Sequence, residues 1–130
     1  MSINSIETRV ATIFKDENDI IHIKMFLFVM VDEEDIIDIN LVIRNLSGNA
    51  PALKLLNAKG HWNMTEGAKK LAAKQYQIEN TIARAVITDN HFKSALSNFI
   101  QRFNFKSAPQ QFFTNEDNAY EWLMSFKGSR

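Results

Sequence analysis

The sequence predicts a single α/β domain whose sheet is mostly parallel and contains four to five strands. Three observations support this prediction. Apolar, β-branched segments alternate with amphipathic helical segments along most of the chain. A helical segment lies between successive strands, as crossovers between parallel strands require. The 130 residues suffice for one domain of ordinary size, which we place at 1–130. One antiparallel N-terminal strand and about four helices complete the expected fold.

The first two strands are predicted to form an antiparallel hairpin. Arg9 to Phe14 is rich in β-branched residues, a polar turn follows, and Ile20 to Lys24 is apolar again. The next seven residues, Met25 to Val31, are all apolar. They are too few for a membrane-spanning helix, which needs about 20.

This apolar run allows two interpretations. If it continues the strand, alternate side chains point to opposite faces, so some of them must be exposed or covered by another subunit. If a helix crosses this face, both sides are internal. The first interpretation predicts a contact surface, most simply in a homodimer. Its candidate interface residues are Phe26, Leu27 and Phe28.

The first helix follows an acidic cluster, Asp32 to Asp35. Asp32 is a suitable N-cap, and carboxylates are favourable at the positive end of a helix dipole. Capping therefore explains this cluster better than a metal site, because consecutive carboxylates point around a helix instead of converging. Gly48 is the expected C-cap. The apolar stripe between them is broad and is predicted to be buried: Ile36, Ile37, Ile39, Val42, Ile43 and Leu46.

The central strand, Ala52 to Leu56, precedes a predicted loop over 57–64 and a helix that starts at Thr65. In open α/β sheets, ligands and partners meet the loops that leave the carboxyl ends of strands. We therefore place a partner- or ligand-binding site here. For Trp62 there is an alternative to a position in this binding site: its side chain could fold back over the sheet. The candidate residues are Asn57, His61, Trp62, Thr65 and Glu66.

The remaining pattern predicts a strand over 81–88, a helix over 92–103, a short strand at 111–113 and a last helix capped within 114–117. Small residues in the first of these strands would let a helix pack closely. One aromatic set could line a pocket for a small apolar ligand or lipid, although its helical spacing favours a packed interior. Its members are Phe92, Phe99, Phe103, Phe112 and Trp122.

Composition narrows the function. There is no cysteine, and equal numbers of basic and acidic side chains, 15 of each, argue against a nucleic-acid binder. The two parts of the chain differ in net charge. Residues 1–50 have four basic and nine acidic side chains (4 − 9, net −5), and residues 51–130 have eleven basic and six acidic side chains (11 − 6, net +5). The three histidines lack metal-ligand spacing, and no nucleophile or phosphate-loop motif is visible. We therefore expect a cytoplasmic, non-enzymatic protein without metal or cofactor, whose start shows no signal peptide.

Several segments resemble the STAS-like (SpoIIAA-like) domains, which include bacterial anti-anti-sigma factors and the cytoplasmic tails of sulfate transporters. The likeness is greater to small stand-alone bacterial members that are generally uncharacterised. It covers nearly the whole chain and implies a fold more than a function. The segments that carry it are Asp19–Ile23, Val31–Asp35, Ile87–Asp89 leading into 92–104, and Phe112–Leu123.

The phosphorylation switch that this resemblance would imply has no acceptor here. Anti-anti-sigma factors carry an Asp-Ser-Ser-Gly turn at the helix after the central strand, where a kinase modifies a serine. In this chain Thr65 stands about where the aspartate would be, and Glu66 and Gly67 stand about where the serines would be. Glu66 supplies a negative charge near the helix start, which the helix dipole alone would favour. The resemblance therefore implies a binding module without this switch.

Overall fold

The structure, a computed structural model, describes residues 4–78, 80–89 and 108–127, without the side chains of 76–78. Within these ranges eight strands and three helices form. The strands are β1 (Ile6–Glu7), β2 (Ala11–Lys15), β3 (Ile20–Met25), β4 (Met30–Val31), β5 (Ala52–Asn57), β6 (Asn63–Met64), β7 (Thr81–Ile87) and β8 (Gln110–Phe113). The helices are α1 (Glu33–Ser47), α2 (Glu66–Ile78) and α3 (Glu116–Met124).

The main sheet has the strand order β1-β2-β3-β5-β7-β8. The pairs β1–β2 and β2–β3 are antiparallel, whereas β3–β5, β5–β7 and β7–β8 are parallel. This confirms the predicted α/β class and its antiparallel N-terminal part. The sheet has six strands instead of four or five, because the two-residue β1 extends the hairpin.

Each face of the sheet is covered by apolar packing. On one face, α1 and α2 pack through side chains such as Ile36, Ile39 and Ala68 onto the inward side of β2 and β3. On the other, Ala119 and Leu123 of α3 pack against a cluster from β3, β5 and β7. Ala83 and Ala85 of β7 are fully buried in that cluster, which confirms that small residues in this strand admit a helix.

The predicted caps are confirmed where the structure describes them. The Asp32 carboxylate accepts a hydrogen bond from the Asp35 N–H, and the Asp35 carboxylate accepts one from the Asp32 N–H, which completes a capping box. Gly48 ends α1 with a φ of 62°. Asn115 caps α3 from within the predicted segment.

Two expectations are corrected. Ile37 was assigned to the buried stripe of the first helix, but its side chain is 45% exposed, because only one side of α1 contacts the sheet and α2. The prediction of a loop over all of 57–64 is wrong, because Asn63–Met64 pairs in parallel with Met30–Val31 to form a second, two-stranded sheet. The predicted helix over 92–103 lies outside the described residues.

Candidate functional site

Two loops meet at the edge of the sheet where the parallel strands end. One loop follows β3 and the other follows β5, and the pairing of β4 with β6 joins them. Further backbone bonds strengthen this junction: the Asn63 N–H donates to the Val29 carbonyl at 3.0 Å, and the Thr65 N–H donates to the Val31 carbonyl at 3.0 Å. The loop after β5 is also fixed to the end of β7, since the Ala58 N–H donates to the Ile87 carbonyl at 2.8 Å.

Phe28 is the most exposed large apolar side chain at this junction. Its backbone has a φ of 59°, in the left-handed region that non-glycine residues rarely adopt. Its N–H donates to the His61 carbonyl at 2.5 Å, and its ring stacks on the His61 imidazole with centroids 6.0 Å apart and planes 19° apart. Even so, 80% of the side chain is exposed. The backbone of Phe28 is thus hydrogen-bonded to the neighbouring loop, while its aromatic ring faces solvent beside His61.

Gly60 lets the two loops approach closely. Its φ is 95°, and a Cβ added there would lie 2.2 Å from Leu27 Cδ2. The Gly60 N–H donates to Asp89 Oδ2 at 2.9 Å, which fixes the loop from its other side. A larger residue at position 60 would therefore displace Leu27 and alter the surface beside Phe28.

We refer to the exposed side chains of Leu27, Phe28, Met30 and His61 as the edge patch. Leu27 is 56% exposed and Met30 is 52% exposed. The sequence predicted two separate groups, one around Phe28 and one around His61. The structure brings these groups together into one surface.

Other predicted residues have different roles at this edge. Trp62 folds back against the core, and its Nε1 donates to the Ala58 carbonyl at 2.9 Å, so the alternative placement is the observed one. Asn57 Oδ1 accepts from the Lys59 N–H at 3.2 Å and shapes the loop. Phe26 is half-buried, and its N–H donates to the Val10 carbonyl at 2.8 Å.

Thr65 and Glu66 both belong to the start of α2. Thr65 Oγ1 accepts from the Ala68 N–H at 3.0 Å, which is the predicted capping bond. The Glu66 carboxylate is 80% exposed and lies 3.2 Å from the Lys69 ammonium. Its charge therefore faces solvent beside the edge patch.

An ion pair supports the base of this surface. Arg9 Nε donates to Asp35 Oδ1 at 3.0 Å, and a second guanidinium nitrogen contacts both Asp35 Oδ2 and the Met30 carbonyl, the latter at 2.7 Å. The hydrogen bonds from Arg9 hold the pKa of Asp35 below its usual value of 3.8, and they raise the pKa of Arg9. The Asp35 side chain is only 5% exposed. Since Arg9 contacts both this buried carboxylate and the Met30 carbonyl, it connects the Met30 backbone to the start of α1.

A second polar cluster lies at the opposite end of β3. Asp16 Oδ2 lies 2.8 Å from His22 Nε2 and accepts from the Tyr120 hydroxyl at 2.6 Å. Burial alone would raise the pKa of Asp16, but the hydrogen bonds from Tyr120, His22 and two backbone N–H groups together lower it below 3.8. The pKa of Tyr120 is raised, chiefly by burial. These contacts attach α3 to the β2–β3 hairpin, and this is a structural role.

The sequence placed Met30 within the run 25–31 that was expected to contribute a contact surface, but Met30 was not among the candidate residues, and the role of Gly60 beside the patch was not predicted. Met30 lies within the apolar run that was singled out, so its hydrophobicity was the available signal. For Gly60, a glycine within a short loop indicated an unusual backbone angle, but the close approach of Leu27 could not be read from the chain.

The proposed aromatic pocket is not assembled by the residues that the structure describes. Trp122 contacts Phe113, with ring centroids 5.8 Å apart, and packs edge-on against Phe126 at 4.9 Å. Phe112 points to the other face, since successive strand residues alternate. The other three members, Phe92, Phe99 and Phe103, lie outside the described residues.

In residues 4–78, 80–89 and 108–127, no group of three or more His, Cys, Asp or Glu side chains is arranged to hold a metal ion. Over the same ranges, no helix combines the length and the apolar character that crossing a membrane requires.

Comparisons with known proteins identify a family and a fold. A family model described as a domain of unknown function, DUF7793, matches residues 14–127. A crystal structure of an uncharacterized protein of the DUF3478 family from Shewanella loihica PV-4, described as having a SpoIIAA-like fold, is similar at a TM-score of 0.59 and 15% identity. That match covers 94% of this chain and 92% of the other. No protein of curated function matches.

Proposed function

Since the chain belongs to the DUF7793 family and has a SpoIIAA-like fold, we propose that it is a non-enzymatic binding module that engages a protein partner through the edge patch. The phosphorylation switch of anti-anti-sigma factors forms no part of this proposal, because Glu66 and Gly67 stand where serines would be needed. Thr65, the nearest hydroxyl, is used as a helix cap.

The single observation that carries the proposal is the conformation of Phe28. A left-handed backbone costs a non-glycine residue roughly 1–2 kcal/mol. The stack on His61 offsets part of this cost, because an aromatic pair contributes about 0.5–1.5 kcal/mol. The stack leaves 80% of the Phe28 side chain exposed, however, so burial within the chain does not account for the ring.

Rigid, exposed aromatic residues are typical anchors of protein interfaces. Binding energy is concentrated in a few side chains that are enriched in aromatics and are surrounded by contacts that exclude water. Phe28 is an exposed aromatic residue of this kind, and Leu27 and Met30, which are close to it in the chain, are exposed apolar side chains as well. Because the turn is already fixed by backbone bonds to His61 and Val29, little ordering would be needed on binding.

The proposal is tested with three versions of the purified chain: wild type, Phe28→Ser and Leu41→Ser. Leu41 is the matched control, because it is an apolar side chain on α1 that is 49% exposed and lies outside the edge patch. Each version is immobilised and exposed to lysate of the source cells, and retained proteins are quantified by mass spectrometry. Any candidate is then purified and its Kd is measured directly.

We expect a protein that wild type and Leu41→Ser retain and Phe28→Ser loses, with a Kd at least tenfold weaker for Phe28→Ser. The molar mass of wild type in solution is measured in parallel. A dimer that only Phe28→Ser dissociates would identify a second copy as the partner. Equal retention of every captured protein by all three versions, with an unchanged monomer mass, would exclude the edge patch as a binding surface.

A further inference from the structure

We infer that the edge patch accepts a partner segment that combines an apolar side chain with basic residues. This inference rests on the proposed function and adds the chemistry of the partner. It depends on the charged groups around the patch, which come from the two loops and from the two helices that start beside it.

Among the residues that the structure describes, the charges bordering the patch are mainly negative. Segments 26–35 and 58–69, together with the side chains hydrogen-bonded to them, hold six carboxylates and three basic groups (3 − 6, net −3). The helix starts of α1 and α2 offset this by about half a positive unit each, which leaves roughly −2. The carboxylates are Asp32, Glu33, Glu34, Asp35, Glu66 and Asp89; the basic residues are Arg9, Lys59 and Lys69.

Two of these carboxylates are placed to meet a partner. Glu34 lies on the exposed side of the first turn of α1, four positions after Met30. Glu66 begins α2, directly after Thr65, whose N–H bonds to the Val31 carbonyl of β4. Glu33 instead lies against Gly67, and Asp35 is occupied by Arg9. Glu34 and Glu66 are exposed carboxylates at these two helix starts, and Glu66 lies 3.2 Å from the Lys69 ammonium. We take these two carboxylates as the acidic border of the patch.

This charge selects among possible occupants. A second copy in a two-fold arrangement would place the same acidic border against itself, and such like-charge contacts cost binding energy. Nucleic acids and anionic membrane surfaces are repelled for the same reason. A basic segment gains favourable contacts with the border while its apolar residue covers Phe28. Charge complementarity thus favours a heterologous protein segment.

The test selects binders from a displayed library of random linear peptides against wild type. Enriched peptides are synthesised, and their Kd values are measured for wild type, Phe28→Ser, Glu34→Lys/Glu66→Lys and Glu116→Lys/Asp117→Lys. The last variant is the matched control: it reverses two exposed carboxylates in the first turn of α3, which packs on the other face of the sheet. Circular dichroism verifies that each variant is folded.

We expect enriched peptides to carry an aromatic or branched aliphatic residue and a net positive charge. The Kd should rise at least about tenfold in Glu34→Lys/Glu66→Lys, because favourable charge contacts are replaced by repulsive ones, and it should change less than about twofold in the control. Binding should also weaken as salt shortens the Debye length below about 10 Å.

The remaining outcomes separate the two proposals. Loss of binding in Phe28→Ser with an unchanged Kd in Glu34→Lys/Glu66→Lys overturns the charge inference and leaves the protein-binding function standing. Acidic or uncharged consensus peptides overturn it as well. Peptides that bind Phe28→Ser as tightly as wild type contradict both proposals. A selection that enriches nothing above the Phe28→Ser background contradicts a linear basic segment as the partner.

Discussion

Replacing Gly60 with alanine tests the close approach that shapes the edge patch. At a φ of 95° an alanine is outside the small left-handed region near 50–70° that L-residues tolerate. Its Cβ would also lie 2.2 Å from Leu27 Cδ2, so that side chain would have to move. Gly48→Ala provides the matched control, since its φ is 62° and nothing lies within 4 Å of an added Cβ.

Both substitutions place an alanine at a positive φ, which costs stability, but only the one at position 60 also brings a Cβ into contact with Leu27. Gly48→Ala should lower the free energy of unfolding by about 1 kcal/mol, near the lower end of the cost of a left-handed non-glycine residue. Gly60→Ala should cost about 2 kcal/mol for its less favourable angle. Moving Leu27 out of its rotamer adds about 0.5–1.5 kcal/mol. The expected total for Gly60→Ala is therefore about 2.5–3.5 kcal/mol.

Urea unfolding followed by tryptophan fluorescence and circular dichroism measures both values. The variants Leu27→Ala and Gly60→Ala/Leu27→Ala complete a double-mutant cycle, in which the contact should appear as a coupling energy of about 1 kcal/mol. A Gly60→Ala variant no less stable than Gly48→Ala, or a coupling energy near zero, would show that Leu27 does not pack against position 60.

Three further predictions concern the helix starts. Thr65→Ala should lower the free energy of unfolding by about 1 kcal/mol, measured by urea titration, because the Ala68 N–H loses its acceptor. Incubation with ATP and an anti-sigma kinase should leave the chain unmodified, and stoichiometric phosphate on Thr65 found by mass spectrometry would contradict its capping role. Arg9→Gln should lower the free energy of unfolding at neutral pH, since the buried Asp35 carboxylate loses its ionic partner. The pKa of Asp35 in the fold lies below its ordinary 3.8, so this stabilisation is present above about pH 4 and is lost as the pH falls further. The difference in stability between wild type and Arg9→Gln should therefore shrink in acid. A difference that stays constant with pH would refute the role of the Arg9–Asp35 ion pair.

Local signals in the sequence were sufficient for much of the fold. The cap at Asp32 and the C-cap at Gly48 depend on residues within a few positions, and the structure places both as predicted. The alternation of strands and helices indicated a largely parallel sheet, which is what forms. Periodicity was a weaker guide to which side of a helix is covered. Ile37 fits the apolar stripe of α1 but lies at its outer margin and remains exposed.

The candidate site was less predictable because it depends on contacts between distant segments. The strands β4 and β6 have two residues each, too few for a periodic pattern, and each forms only because the other is adjacent. The contact between Phe28 and His61 follows from that pairing. A left-handed backbone at phenylalanine also has no propensity signal, since residue preference opposes it.

The same preference makes position 28 informative about function. Three non-glycine residues in the described ranges have a positive φ: Asp19, Phe28 and Asn49. Aspartate and asparagine are common in that region, because their short polar side chains bond to the nearby backbone. Phenylalanine cannot make such a bond, and its stack on His61 offsets only part of the cost, so asparagine or glycine at position 28 would make the same turn with less strain. Since the ring adds little burial within the chain, stability alone gives no reason for phenylalanine at this turn. The proposed binding to a partner through the edge patch would give such a reason, because the contact with the partner would offset the strain of the turn.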